Sequence, residues 1–251
     1  MRAASAVLLL AFAAVYVAAQ QDLFDYVNAP DPNYAYYDTG LRIGNASLGW
    51  TGYILNMTSQ AWLLPSDTDH PVWTHQLVVI VPNNLKYTNV SAIYVTGGGN
   101  GDGPPSADSE DVLVPAILAK ESGSVTATLF QVPNQPIVFT ADPLQKERSE
   151  DALVAFSWSQ VCLQCMDRDQ TSLVERSGFV VWASAQYMKN TDRPEWVSLL
   201  PMVKSVVRAM DTVQDFTSKL NIANIQNFAI AGASKRGWTT WLTGMTVGLH
   251  A

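Results

Sequence analysis

Between Trp50 and Phe139, short runs of β-branched and aromatic residues alternate with Pro, Asn and Gly, the pattern of strands closed by turns. It predicts strands from Gly52 to Asn56, Gln60 to Leu64, His75 to Val81, Ala92 to Thr96 and Thr126 to Val132. The run from Asp111 to Glu121 reads as a helix with Pro115 near its start. A strand, a loop, a helix and another apolar strand make a βαβ unit, so the sheet is expected to be at least partly parallel. Further along, Leu153, Phe156, Trp158 and Val161 fit a helix from Glu147 to Met166 only approximately. From Pro194 to Leu220 the periodicity is clear. Leu199, Leu200, Val203, Val206, Val207, Met210, Val213 and Phe216 recur at spacings of three and four, as an amphipathic helix requires. An apolar strand from Ile225 to Ala231 then runs into Gly232-Ala233-Ser234-Lys235-Arg236-Gly237, and a helix starts at once. No internal repeat or linker interrupts this order of a β-rich part followed by β-loop-α units.

The N-terminus carries a different signal. Arg2 precedes the apolar run Ala6 to Val17, and Val17-Ala18-Ala19 offers small residues for cleavage, so residues 1–19 read as a signal peptide and the mature chain as starting at Gln20. The run is shorter than the roughly 18 to 20 residues that span a bilayer, and no later segment does better, so no membrane span is expected after cleavage. Residues 20–251 suffice for one large α/β domain or most of one. The net charge of −7 becomes more negative when Arg2 is removed, and the longest basic cluster is Lys235-Arg236, which argues against nucleic acid or an anionic membrane as partner. Secretion would make the sequons at Asn45, Asn56 and Asn89 usable for glycosylation. It would also let Cys162 and Cys165 oxidise, either with each other or with cysteines beyond residue 251. A redox role for this Cys-x-x-Cys pair is the weaker reading, and with no second Cys or His pair nearby neither a metal nor another cofactor is expected.

The chemistry concentrates at Ser234. A serine between a buried strand and a helix, flanked by glycines, matches a nucleophile elbow: the turn strains the serine backbone, the glycines permit close approach, and the Lys235 N–H points to where an oxyanion would form. The spacing is Gly-x-Ser-x-x-Gly, one residue longer than the common form, and a serine at such a junction is also an ordinary helix N-cap. A second motif favours the catalytic reading. Thr96-Gly97-Gly98-Gly99-Asn100-Gly101-Asp102-Gly103 follows a strand and precedes a helix, the position from which hydrolases supply the other oxyanion N–H, here from Gly98 or Gly99. A plain flexible turn is the alternative, while the phosphate-loop and dinucleotide patterns are absent.

Four segments then carry a resemblance: Pro133-Asn134-Gln135-Pro136, Glu150-Asp151-Ala152, Pro201 to Asp211, and Gly232-Ala233-Ser234-Lys235-Arg236-Gly237-Trp238. In these the chain resembles the PhoPQ-activated pathogenicity-related family over nearly its whole mature length. The resemblance implies an α/β-hydrolase-like three-layer sandwich and makes the longer elbow spacing a family trait. The family also takes in a secreted autocrine proliferation repressor.

In an α/β-hydrolase the acid and histidine follow the serine in the chain. Only 17 residues follow Ser234, and His250, their only histidine, would lie about 24 Å away along a helix. His70 and His75 lie upstream among the early strands. The expectation is therefore a sandwich truncated just after the elbow helix, with Ser234 unactivated, the strand edge open and the helix carrying Trp238, Trp241, Leu242 and Met245 partly uncovered. Two functions follow: a secreted serine hydrolase that in full length transfers acyl groups from a small-molecule or peptide ester or amide, or a secreted signalling protein that binds a cell-surface receptor and keeps the fold without using it. A carbohydrate or peptide cleft is a third, with Trp182 expected to be buried and Tyr34, Tyr36 and Tyr37 exposed.

Overall fold

The computed structural model describes residues 23–162 and 194–247. The signal segment, Cys165 with its proposed pairing to Cys162, Trp182 and His250 lie outside the described residues.

Six strands form one mixed sheet in the order β1-β2-β3-β5-β4-β8. Strands β1 (Ala35–Asn45), β2 (Trp50–Ala61), β3 (Val72–Pro82) and β5 (Ser124–Leu129) pair antiparallel in that sequence. Strand β4 (Tyr87–Val95) runs parallel to β5 on one side and to β8 (Asn227–Gly232) on the other. The predicted βαβ unit is thus β4, α2 (Glu110–Ser122) and β5. A short pair, β6 (Ile137–Val138) and β7 (Glu147–Arg148), lies outside the sheet. Among the described residues β8 pairs only with β4, which makes it an edge.

The layers follow from the two-residue alternation of strands. One face of β2 and β3 presents Trp50, Ile54, Val78 and Ile80 to Val112, Ala116 and Ala119 of α2. The other face presents Leu55, Met57, Leu77 and Val79 to Met202, Val206, Ala209, Val213 and Phe216 of the long helix α4 (Leu199–Lys219). Helix α5 (Lys235–Val247) leans on β8 and α4 from this same side, with Leu242 against the large core, and helix α3 (Glu150–Cys162) adds Leu153, Val154 and Phe156 to it. Helix, sheet and helix give the three layers of the expected sandwich. The outer side of α4 holds Leu200, Val203 and Val207 against Leu23 and Val27 of the N-terminal helix α1 at 23–28. Lys204 fixes that helix by donating its ammonium to the carbonyls of Tyr26 and Ala29 at 3.2 and 2.8 Å, where a helix C-terminus carries partial negative charge.

Proline 115 stands inside α2, not near its start as the sequence predicts. Its missing N–H would leave the Asp111 carbonyl without its usual partner four residues on. The Thr128 hydroxyl of β5 donates to that carbonyl at 2.7 Å, and Thr126 donates to the Pro115 carbonyl at 2.9 Å. The sheet below the helix supplies the bond the proline removes.

Two further differences have physical causes. The strand expected from Gly52 to Asn56 continues to Ala61, because Ser59 and Gln60 stay in the sheet although they are polar and fully buried, and the strand expected from Gln60 to Leu64 stops there, with Leu63 at φ 65°. The Ser59 hydroxyl bonds His75 Nε2 at 2.9 Å and the Ser205 hydroxyl at 3.1 Å, while Gln60 donates to the Pro201 carbonyl at 2.8 Å and accepts from the Tyr26 hydroxyl at 3.0 Å. Strand β1 was not expected at all. It is an outer strand with a mostly exposed face, and only Tyr36 and Tyr34 of the three tyrosines tuck in, onto Asp215 and onto Thr212 of α4; Tyr37 is 60% exposed.

Candidate active site

Strand order locates the site before any side chain does. The chain goes from β4 through α2 to β5 on one side, then returns by α4 to β8 on the other side of β4. The strand order therefore reverses between β4 and β8, and in open α/β sheets the crevice beyond the carboxyl ends of such strands is where ligands bind. Val95 is paired with Gly232, so the glycine-rich loop after β4 and the turn after β8 leave the sheet side by side.

Ser234 sits in that turn at φ 54°, the left-handed region that a non-glycine residue enters at a cost. The turn closes tightly enough to dictate its glycines. A Cβ on Gly232 would lie 2.8 to 2.9 Å from backbone and Cβ atoms of Arg236, and one on Gly237 would lie 2.8 Å from the Gly232 carbonyl oxygen. Gly-x-Ser-x-x-Gly is thus a contact between its two glycines. Ser234 is exposed, and its carbonyl accepts from the Trp238 N–H at 3.1 Å, which starts α5. Lys235 is the first residue of α5, where a backbone N–H has no intrahelical acceptor and can face an anion.

The two glycines proposed to complement it differ. The Gly99 N–H donates to Asp102 Oδ2 at 2.6 Å, so it is committed within its own loop, and Gly98, at φ 124°, remains as that loop's candidate donor. The loop is pinned from below. Its Gly97 and Gly99 carbonyls accept from the Gln131 N–H at 2.7 Å and the Gln131 side-chain amide at 3.1 Å, and Asn100 exchanges bonds with Gln135 and donates to the Pro136 carbonyl.

The loop and the turn meet through the side chains of Arg236, Glu150, Lys235 and Gln135. The Arg236 guanidinium lies against Gly97, where a Cβ would come within 2.5 Å of Nη2. Its fork binds both oxygens of Glu150 at 2.6 and 2.8 Å, and its Nε donates to the Val132 carbonyl at 2.5 Å. Lys235 Nζ binds the same carboxylate and reaches Asp151 at 2.9 Å. Gln135 closes the cluster from the other side: its amide nitrogen donates to Glu150 Oε1 at 2.7 Å and its oxygen accepts from the Glu150 N–H at 2.8 Å. The Arg236 fork, then burial opposing it, then Lys235 and Gln135, hold the Glu150 carboxyl down to about 2. Because the folded value lies below the ordinary carboxylate range, the cluster is intact at neutral and mildly acid pH and is lost as pH falls through about 2.

His75 is not placed to serve Ser234. Burial pushes His75 down to about 4, so it is neutral at pH 7, and its nitrogens are taken by Ser59 and by the Phe130 carbonyl at 3.0 Å. It stands on β3, three strand positions from β8, or about 14 Å away at the usual strand spacing. His70 lies in the loop before β3, outside the sheet.

The profile of the PhoPQ-activated pathogenicity-related protein family matches residues 23–177 and 160–248. The chain belongs to that family. Autocrine proliferation repressor protein A of Dictyostelium discoideum is 39% identical over 230 residues, covering 89% of this chain and 38% of the relative. The chain therefore spans less than half the length of that family relative. Among solved structures, a Bacteroides fragilis protein described as an acetyl xylan esterase aligns with a TM-score of 0.50 at 9% identity over 91% of this chain and 48% of its own. A glucuronoyl esterase from Solibacter usitatus gives 0.47 at 14% identity over 91% and 55%. The layered mixed sheet and the 0.50 alignment to the Bacteroides fragilis protein together give the chain an α/β-hydrolase-like fold.

Of the three sequons, Asn45 and Asn89 are exposed, whereas Asn56 faces a cleft of about 460 Å³ and its side-chain nitrogen donates to the Tyr37 hydroxyl at 2.6 Å. No helix among the described residues is long and apolar enough to cross a membrane. Helix α5 leaves Trp238 43% and Trp241 79% exposed.

Proposed function

We propose that this family member is a secreted serine hydrolase in which Ser234 attacks an ester or amide carbonyl of a small-molecule or peptide substrate. The observation that carries the reading is the strained Ser234 between β8 and α5, beside the glycine loop at the reversal of strand order. In the reaction the Ser234 oxygen bonds to the carbonyl carbon and its proton passes to a base. The carbonyl oxygen gains charge against the N–H groups of Lys235 and Gly98, and the alcohol or amine leaves as the acyl-enzyme forms; water then releases the acid. His75, three strands away and bonded through both ring nitrogens, does not take that proton. We infer from the chain order of α/β-hydrolases that a histidine and an acid from outside the described residues supply the rest of the triad, and that the described residues by themselves are inactive.

The second reading is a secreted signalling protein that binds a receptor, and the 39% identity to a protein named as a proliferation repressor favours it. Turnover of a chromogenic ester by a longer form, abolished by Ser234→Ala, supports the enzyme. Absent turnover, together with a growth-repressing activity that Ser234→Ala leaves intact, supports the signalling protein and overturns the first reading. Export is tested separately. Protein recovered from the medium should begin at Gln20 and migrate faster after glycosidase treatment, with Asn45 and Asn89 as the proposed acceptors; an intact Met1 would contradict export by signal cleavage.

A further inference from the structure

Six described non-glycine residues have positive φ, among them Gln131, Glu150 and Ser234 at 62°, 52° and 54°; the first two lie against Gly97, and Ser234 follows β8, whose Gly232 pairs with Val95 just before that loop. Strain of this kind persists only where the surroundings over-determine it, and it gathers at functional sites. Glu150 is the residue these surroundings share. It has both oxygens and its N–H bound, by partners from two separate segments of the chain: Gln135 after β5, and Lys235 and Arg236 after β8. Through the Arg236 guanidinium it also reaches the Gly97 backbone and the Val132 carbonyl.

Resting on the hydrolase reading, we propose that Glu150 is the positioning residue of the oxyanion hole, setting the Lys235 backbone against the glycine loop so that the two N–H groups converge beside Ser234. Lys235 and Arg236 follow the nucleophile directly, and both side chains end on this one carboxylate. The elbow turn is thereby tied down at its helical end, in addition to the Gly232–Gly237 contact at its base. The same Arg236 fork presses on Gly97, one residue before Gly98, so the two halves of the hole share an anchor. A planar guanidinium held at two oxygens fixes direction as well as distance, which a lysine in its place would not. Glu150 does not touch the reacting atoms; it acts through the backbone it holds.

The test compares native full-length protein with Glu150→Gln and, as a milder variant that keeps the charge, Arg236→Lys. The inactivation rate of Ser234 by a fluorophosphonate, its apparent binding constant and amide exchange are each measured. Both variants are expected to lower the maximal inactivation rate by about tenfold or more with the binding constant little changed, since misplacement by about an ångström costs rate in this way. Exchange is expected to quicken at 95–103 and 232–238 but not at 72–82. Native rates with native exchange would overturn the assignment, and so would faster exchange that extends to 72–82, which would mark a general loss of stability. A native protein that is never labelled would sink the hydrolase reading alone. Exchange would then decide whether Glu150 holds the turn, and unchanged exchange at both segments would again overturn it.

Discussion

Gly232→Ala is expected to remove Ser234 reactivity by about a hundredfold and to destabilise the fold, while Gly244→Ala in the same region does neither. The new Cβ at 232 would meet the carbonyl carbon, Cβ and carbonyl oxygen of Arg236 at 2.8 to 2.9 Å, and most of these atoms are backbone that cannot swing aside. Relief requires the start of α5 to move away from β8, which shifts the Lys235 N–H and the Ser234 hydroxyl together. Overpacking of this kind costs about 1 to 3 kcal/mol. At about 2 to 4 °C per kcal/mol for a domain of this size, the melting temperature should fall by several degrees. Gly244 has nothing within 4 Å of its would-be Cβ and lies inside α5, so alanine there should gain up to about 1 kcal/mol from helix propensity. Equal melting temperatures for the two variants would show that the turn is not closed as described.

Trp62→Ala is expected to cost the most stability of any single change considered, about 3 to 5 kcal/mol. The indole is fully buried, stands edge-on to Trp73 at 5.3 Å and to Phe139 at 5.9 Å, and donates to the Glu195 carbonyl at 2.6 Å. It therefore joins the end of β2 to the turn before α4, and alanine would leave a cavity between elements that cannot collapse on one another. Trp62→Phe keeps part of the ring contact and should lose clearly less. The check is the denaturant midpoint at unchanged slope. A loss below about 1 kcal/mol for the alanine variant would place the centre of the core elsewhere.

Much of this was legible in the sequence, for reasons that also explain what was not. The three-and-four spacing from Leu199 to Phe216 and the apolar run into Gly232 are local signals, and α4, β8 and the turn into α5 stand where these signals put them. Strands β3, β4 and β5 likewise follow their β-branched runs. The continuity of β2 was hidden because Ser59 and Gln60 are satisfied by Tyr26, His75, Pro201 and Ser205, partners that a local pattern does not reveal. Strand β1 was hidden because one of its faces meets water and so leaves little alternation to read. The same limit applies at the site. Ser234 and the glycine run announce themselves, but Glu150 is 86 residues from Arg236, and nothing in either segment signals the other. Gln135, Glu150 and Arg236 each lie in a segment that carries the family resemblance. Their convergence on Gly97 gives those segments a common physical purpose, which is to fix the relation between two neighbouring loops.

The measurement that tests the central claim most directly is peptide mapping of full-length protein after reaction with a fluorophosphonate, which locates the adduct to a residue. A single phosphonyl group on Ser234, absent from Ser234→Ala, is the predicted result. An adduct on any other serine, or none on a folded full-length protein, would contradict the assignment of Ser234 as nucleophile.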